Sequence, residues 1–217
     1  MEQRTEEWYE VRLGKVGASE IAKIINKKKD GSPNKQEEDL LIQKVTERLT
    51  GKRTDTYINQ AMQNGIDRES DARKLYELIT KTSVLEVGFM HHPTIGWSGC
   101  SPDAIFDIED IKGDEATVMK ARPIGVLEIK CPSDTTHTKT LIDKKLPSQY
   151  KPQVQFQMAC TGAIKAAFVS YNPNFEPKQQ MVLVEVTRDD EYIEKMEASL
   201  KEFLTKVDDM VNEIKEK

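Results

Sequence analysis

No apolar run in the 217-residue sequence approaches the roughly 20 residues a membrane helix needs, so a membrane span is excluded. The segment from Met1 to Glu10 is charged and lacks the apolar core of a signal peptide, which leads to the expectation of a cytosolic protein. Cysteine is scarce. Cys100, Cys131 and Cys160 are odd in number and match no zinc spacing, so they are expected to be small buried free thiols in a reducing compartment. His91, His92 and His137 have no ligand spacing either, and surface or strand-end positions are expected for them. No glycine-rich loop runs into Lys-Ser or Lys-Thr, so nothing supports ATP-driven unwinding. Positive charge is not in excess: 32 basic against 37 acidic side chains leave a formal charge of -5, which excludes loose coating of nucleic acid but not a local basic groove. Hydrophobic residues make up 37%, too many for a disordered acidic chain, and the length suffices for one elaborated domain over residues 1–217 without disulfide staples.

The periodicity changes along the chain. Trp8 to Asn26 reads as a short helix, a break at Gly14 to Gly17, and a second helix capped by Ser19 with Ile21, Ile24 and Ile25 inward. Lys27 to Lys35 is a solvated loop, and Leu40, Leu41, Val45 and Leu49 mark a helix that Gly51 ends. A further helix runs from about Gly65 to Ile79, with Ala72, Leu75, Tyr76 and Ile79 inward. Glu69 falls on that same stripe, where a carboxylate needs a cation. Val84 to Met90, Gly96 to Ile108 and Pro123 to Lys130 read as neighbouring strands, with a polar excursion from Asp107 to Arg122. The excursion's acidic residues lack calcium-loop spacing and read as a solvated turn. Lys139 to Pro152 reads as a lysine-bearing loop, Val154 to Cys160 as helix, and Ala166 to Tyr171 and Met181 to Val186 as strands. A long amphipathic helix follows from Asp189. The expected fold class is mixed α/β: a central mixed sheet flanked by helices, with a long C-terminal helix.

The chemistry concentrates at Val126-Leu127-Glu128-Ile129-Lys130-Cys131-Pro132. Side chains alternate on a strand, so Glu128 and Lys130 share one face, roughly 6.6 Å apart along the chain, while Leu127 and Ile129 face the core. Acid-x-Lys also occurs at Asp110, Asp143, Glu176 and Glu213, about as chance allows, but only Glu128 and Lys130 follow an apolar strand with a suitable acid upstream. That acid is Asp103, in the turn Gly99-Cys100-Ser101-Pro102-Asp103. With Glu69 it makes three carboxylates from three elements. Hard oxygen donors of this kind suit Mg²⁺ or Mn²⁺, and metal-assisted phosphodiester hydrolysis is the natural chemistry, with Lys130 orienting or deprotonating a water. A structural Glu128–Lys130 ion pair is the plain alternative.

The order Arg12-Leu13-Gly14, Ala18-Ser19-Glu20, Gly65 with Glu69 and Asp71-Ala72-Arg73, Cys100-Ser101-Pro102-Asp103, Glu128-Ile129-Lys130-Cys131-Pro132 and Gln153-Val154-Gln155 resembles the lambda exonuclease family, over nearly the whole chain. The resemblance implies the restriction-endonuclease-like core of the PD-(D/E)XK superfamily. It also implies an Mg²⁺-dependent 5′-to-3′ exonuclease that degrades one strand of linear duplex DNA from a 5′-phosphorylated end and leaves a 3′ overhang for phage-type recombination. A ring-shaped homotrimer and a phage single-strand annealing protein as partner belong to the same expectation, as does a phage or prophage origin in a bacterial host. Carried over, Asp103, Glu128 and the Ile129 carbonyl are metal ligands, Glu69 serves a second ion, and Lys130 handles the water. Arg12, Ser19, Ser101 and Gln153 hold the terminal 5′-phosphate. The residues themselves add that Arg12 is a fork-shaped donor and that a helix start at Ser19 would direct N–H groups at an anion. Lys139, Lys144, Lys145 and Lys151 are candidate phosphate contacts inside a ring. Ala104 stands where the family carries glycine, and the excursion from Asp107 is longer than its counterpart. A structure- or site-specific endonuclease on the same core, and a catalytically inactive DNA-binding module, are the alternatives.

Overall fold

The structure, a computed structural model, describes residues 2–54, 60–108 and 123–217. The excursion's residues 109–122, with the solvated turn expected there, lie outside the described residues.

The order is α1 (Glu6–Arg12), β1 (Val16–Gly17), a 3₁₀ turn (Ala18–Glu20), α2 (Ile21–Ile25), α3 (Lys35–Thr50), α4 (Gln60–Thr80), β2 (Val84–Leu85), β3 (Met90–His91), β4 (Ser98–Cys100) and β5 (Ala104–Ile108). It continues through β6 (Pro123–Lys130), α5 (Asp134–Asp143), a 3₁₀ turn (Ser148–Tyr150), α6 (Lys151–Thr161), β7 (Lys165–Tyr171), β8 (Met181–Thr187) and α7 (Asp190–Lys215). The principal sheet has the order β2-β5-β6-β7-β8, with β6 parallel to β7 and its other pairs antiparallel. A small sheet, β1-β4-β3, stands beside it. The fold is therefore the expected mixed α/β arrangement.

Alternation along β6 divides the core. Leu127 and Ile129 pack with Ala72 and Tyr76 of α4. Val126 packs on the opposite face with Val154 and Met158 of α6. The parallel pairing of β6 with β7 requires a crossover, and the chain between them supplies it as α5 and α6. The third apolar cluster lies away from the sheet, where Ile193, Met196, Leu200, Phe203 and Val207 of α7 meet Ile21, Ile24, Leu40, Val45 and Phe156. Capping agrees with the sequence: Asn34 accepts from the Glu37 N–H, Asp189 from the Tyr192 N–H, and Gly51 closes α3 at φ +65°.

Several expectations are corrected. Ser19 does not cap a helix; it lies inside the 3₁₀ turn, and the Glu20 carboxylate accepts the Gly17 N–H at 2.9 Å. Val84 to Met90 is not one strand but two short ones in different sheets, and Gly96 to Ile108 is likewise divided between β4 and β5. Lys139 lies on helix α5, not in a loop. Its buried residues are His137 and Thr140, so the helix shows little apolar periodicity to read. Ile79 is 57% exposed in the last turn of α4, beside an equally exposed Leu78. His92 follows the end of β3 but is buried against Phe156 and Glu197, and His137 is neither at the surface nor at a strand end but buried on α5 between Ser170 and the Gln179 carbonyl. Cys100 and Cys160 are buried as expected, while Cys131 is half-buried.

Because α7 is held along one apolar stripe, truncation there should be felt globally. Leu200→Ala, at a fully buried position, is expected to lower unfolding free energy by about 2–5 kcal/mol in urea titration, against less than about 0.5 kcal/mol for the exposed Glu202→Ala.

Candidate active site

Glu128 projects from β6 toward α6 and is almost wholly buried. Three donors meet it: Lys130 Nζ at 2.5 Å and Gln153 Nε2 at 2.5 Å on Oε1, and Gln157 Nε2 at 2.5 Å on Oε2. Residues 153 and 157 are one helical turn apart, so a single face of α6 supplies both amides. The Gln157 side-chain oxygen Oε1 is buried without a partner among the described residues. Lys130 Nζ also lies 5.4 Å from the centre of the Tyr150 ring.

Asp103 enters at the start of β5. Its N–H donates to the Leu127 carbonyl at 3.1 Å, and its Oδ2 accepts the Ile129 N–H at 2.5 Å. A strand residue directs its N–H and C=O to the same edge. The Ile129 carbonyl therefore faces the Asp103 side, beyond Ala104, where β5 pairing with β6 begins. The field here is strongly negative. Burial, with Glu128 and Glu69 close by, pushes the Asp103 carboxyl well above its ordinary range, and Lys130 only partly opposes this. Burial would lower Lys130, but Glu128 and Asp103 outweigh it and hold the ammonium above its usual value. The same surroundings, burial first and then Glu69 and Asp103, push the Cys131 thiol up to about 12.

Glu69 lies near enough for its charge to act on Asp103, yet its own oxygens are engaged by Arg4 at 2.6 Å and Arg73 at 3.1 Å. Among the described residues, no three His, Cys, Asp or Glu side chains are gathered closely enough to hold an ion by themselves. The donor set nevertheless fits a hard divalent cation: two carboxylates and a carbonyl at one strand end, with an excess of negative charge that a cation would offset.

A second cluster begins two residues before Asp103. The Ser101 hydroxyl accepts from Trp8 Nε1 at 3.0 Å and from Arg12 Nη1 at 3.3 Å. The Arg12 guanidinium stacks 4.0 Å from the Trp8 ring centre and 5.7 Å from that of Phe89. It also passes close to Gly17, where a Cβ would stand 3.2 Å from Nη2. Arg12 and Ser19 line one cleft of about 420 Å³, together with Arg4, Lys15 and Arg53. Gln153 is not in this cluster; it bonds Glu128 instead. Lys144, Lys145 and Lys151 line a separate cleft of about 440 Å³ beside β8, with Lys151 paired to Asp189.

Sequence reasoning grouped Asp103, Glu128, Lys130 and Glu69 around one point and Arg12, Ser19, Ser101 and Gln153 around another. In the structure Asp103, Glu128 and Lys130 lie together with Glu69 close by, Arg12 contacts Ser101 and shares a cleft with Ser19, and Gln153 lies instead against Glu128. Sequence reasoning missed Gln157, Trp8, Arg4 and Arg73. The helical spacing from Gln153 could have found Gln157; nothing local distinguishes the others.

The fold and these clusters define a protein class. The YqaJ-like viral recombinase domain family matches residues 7–164, and the chain belongs to that family. Among solved structures it is similar to the alkaline exonuclease LHK-Exo from Laribacter hongkongensis, at 35% identity and a TM-score of 0.84, covering 98% of this chain and 97% of that one. LHK-Exo in complex with dAMP gives 34% identity over the same coverage. A phage related exonuclease from Haemophilus somnus 129PT shares the fold, at 16% identity and a TM-score of 0.67, covering 92% of this chain and 96% of that one. A search of curated proteins gave no match.

Raising a carboxyl's value in the folded state means that its ionised form destabilises the fold. The penalty is present at pH values above the folded value and absent below the ordinary carboxylate range. Asp103→Asn is therefore expected to raise the melting temperature of the metal-free protein by about 2–4 °C at pH 8, with the gain lost toward pH 4, by differential scanning fluorimetry.

Proposed function

We propose that the chain, as a single nuclease domain over residues 1–217, is a divalent-metal-dependent exonuclease that degrades one strand of linear duplex DNA from a 5′-phosphorylated end. The observation that carries this reading is the Lys130–Glu128 contact at 2.5 Å beside Asp103, in a turn whose Ser101 accepts from Arg12 of α1. Similarity to an alkaline exonuclease at 35% identity over nearly the full length supports it. So does a relative solved with a nucleoside monophosphate.

In this reading Asp103, Glu128 and the Ile129 carbonyl hold Mg²⁺, for which Mn²⁺ can substitute, and Glu69 serves a second ion. When bound, the metal supplies Lewis-acid stabilisation and a nucleophilic water. Lys130 donates to and orients that water, Gln153 and Gln157 fix Glu128, and Arg12, Ser101 and Ser19 hold the 5′-phosphate. Gln153, assigned to the phosphate by resemblance, is reassigned to Glu128 because its amide already bonds that carboxylate. The product is a 3′ overhang for phage-type recombination, handed to a single-strand annealing protein. A homotrimeric ring, processive movement and a cytoplasmic setting in a bacterial host, phage or prophage encoded, complete the proposal. No helix among the described residues is long and apolar enough to cross a membrane.

Incubation with linear and closed circular duplex, with and without Mg²⁺ and 5′-phosphate, tests the reading. Nucleotide release is expected only from linear duplex with Mg²⁺, and digestion of circles would favour an endonuclease. DNA binding with no release would favour an inactive module. Lys130→Ala and Asp103→Ala are expected to lower turnover at least about 10²–10³-fold while the fold persists by circular dichroism. Arg12→Ala should act mainly on 5′-phosphorylated ends, narrowing their advantage over 5′-hydroxyl ends.

A further inference from the structure

Arg4 connects the two clusters. Its guanidinium bonds Glu69 at 2.6 Å, and the same side chain lines the cleft shared by Arg12, Ser19, Lys15 and Arg53. The backbone around it is fastened. Gln3 Nε2 donates to the Val87 and Pro102 carbonyls at 2.8 Å each, and Thr5 caps α1 by accepting the Trp8 N–H. Arg4 itself takes φ +68°, a conformation that a long side chain seldom adopts, so the chain is bent at the point where the guanidinium meets Glu69. The two ends of this ion pair differ. Glu69 is 14% exposed and is held a second time by Arg73, whereas the Arg4 side chain is 40% exposed and has one carboxylate partner among the described residues. Arg4 can leave without stranding Glu69 beside no cation.

We propose that Arg4 is an exchangeable cation, paired with Glu69 in the metal-free enzyme and transferred to a substrate phosphate when a divalent ion takes its place at that carboxylate. The proposal rests on the nuclease reading and deepens it, adding a phosphate-binding residue whose availability depends on the metal. The physical ground is charge accounting. A divalent ion at Glu69 repels a guanidinium bonded to the same group, and the cleft that Arg4 already lines is where a polyanion would receive it. Exchange keeps positive charge beside Glu69 before the ion arrives and increases it toward the DNA afterwards.

Two measurements read Arg4 without any cleavage, so their failure is separable from failure of the nuclease reading, which wild-type nucleotide release tests. The first is Mn²⁺ binding to the DNA-free protein by electron paramagnetic resonance, where Arg4→Gln is expected to bind about tenfold more tightly than wild type. The second is the salt dependence of binding to 5′-phosphorylated duplex, with Ca²⁺ as the probe cation. Adding Ca²⁺ should steepen the wild-type log–log slope by about one, the contribution of one further phosphate contact. Arg4→Gln should show no such change, and Arg4→Lys should restore it. Glu69→Gln, which releases Arg4 by another route, should have the steeper slope without Ca²⁺. A wild-type slope unaffected by Ca²⁺ would overturn the exchange even if Arg4→Gln failed to fold. Unchanged Mn²⁺ affinity in a folded Arg4→Gln variant would do so as well.

Discussion

A carboxylate buried inside a protein must be matched by donors, and Glu128 is the group on which the rest of this structure turns. It sits on a strand between two helical layers, almost out of reach of water. An unpaired carboxylate in that position would cost several kcal/mol. Lys130 supplies one charged donor from the same strand, but a single ammonium leaves the far oxygen unmet. Gln153 and Gln157 meet the remainder, and they can do so only if α6 lies across β6 in one orientation. The β6–α6–β7 crossover is thus specified by polar matching as well as by Val154 and Met158. The match is imperfect, since the Gln157 side-chain oxygen Oε1 has no partner among the described residues. A core built for stability would replace all four groups with apolar residues; a buried polar cluster of this kind is where a candidate active site conflicts with its own scaffold.

The second constraint is the turn from Ser101 to Asp103. It lies between β4 of the small sheet and β5 of the principal one, and so fixes the spacing between the Ser101 cluster and Asp103 by two residues of backbone. Ser101 is reached by Trp8 and Arg12, Pro102 by Gln3, and Asp103 by the Ile129 N–H. The N-terminal segment is therefore part of the site through three consecutive positions. Trp8 acts twice, as the surface on which Arg12 stacks and as a donor to the hydroxyl that Arg12 also contacts. Packing a guanidinium against rings fixes the plane of its fork, which matters where planar donors must meet an anion.

What could be read from sequence follows the strength of each local signal. The bounds Pro123 to Lys130 were legible because an apolar run bounded by turn residues, with its two charges at period two, reads as a strand. The helix from Asp190 was legible because its buried apolar stripe persists from Ile193 to Val211, about five turns. Helix α5 was not, since His137 and Thr140 are its buried residues and their partners, Ser170 and the Gln179 carbonyl, lie over 30 residues away. The division of Val84 to Met90 between two sheets was hidden because pairing partners, not propensity, decide it. At the site, Gln157 had a helical-spacing signal and Arg4 had none. Its partner Glu69 is 65 residues distant, and only the fold brings them together.

The charge states of Asp103 and Lys130 are two consequences of one field. Clustered carboxylates make it harder for Asp103 to lose its proton and harder for Lys130 to lose its own. In the metal-free site Lys130 is therefore an ammonium at neutral pH, suited to donating and orienting rather than accepting a proton. Positive charge added among the carboxylates would lower both values together, favouring ionised Asp103 and loosening the proton on Lys130. In the proposed nuclease reading, binding of a cation and loosening of that proton would therefore be coupled by sign. Arg4 and Arg73 already supply part of that positive charge at Glu69, which places the remaining excess at Asp103 and Glu128, on the strand end where the Ile129 carbonyl offers a third oxygen.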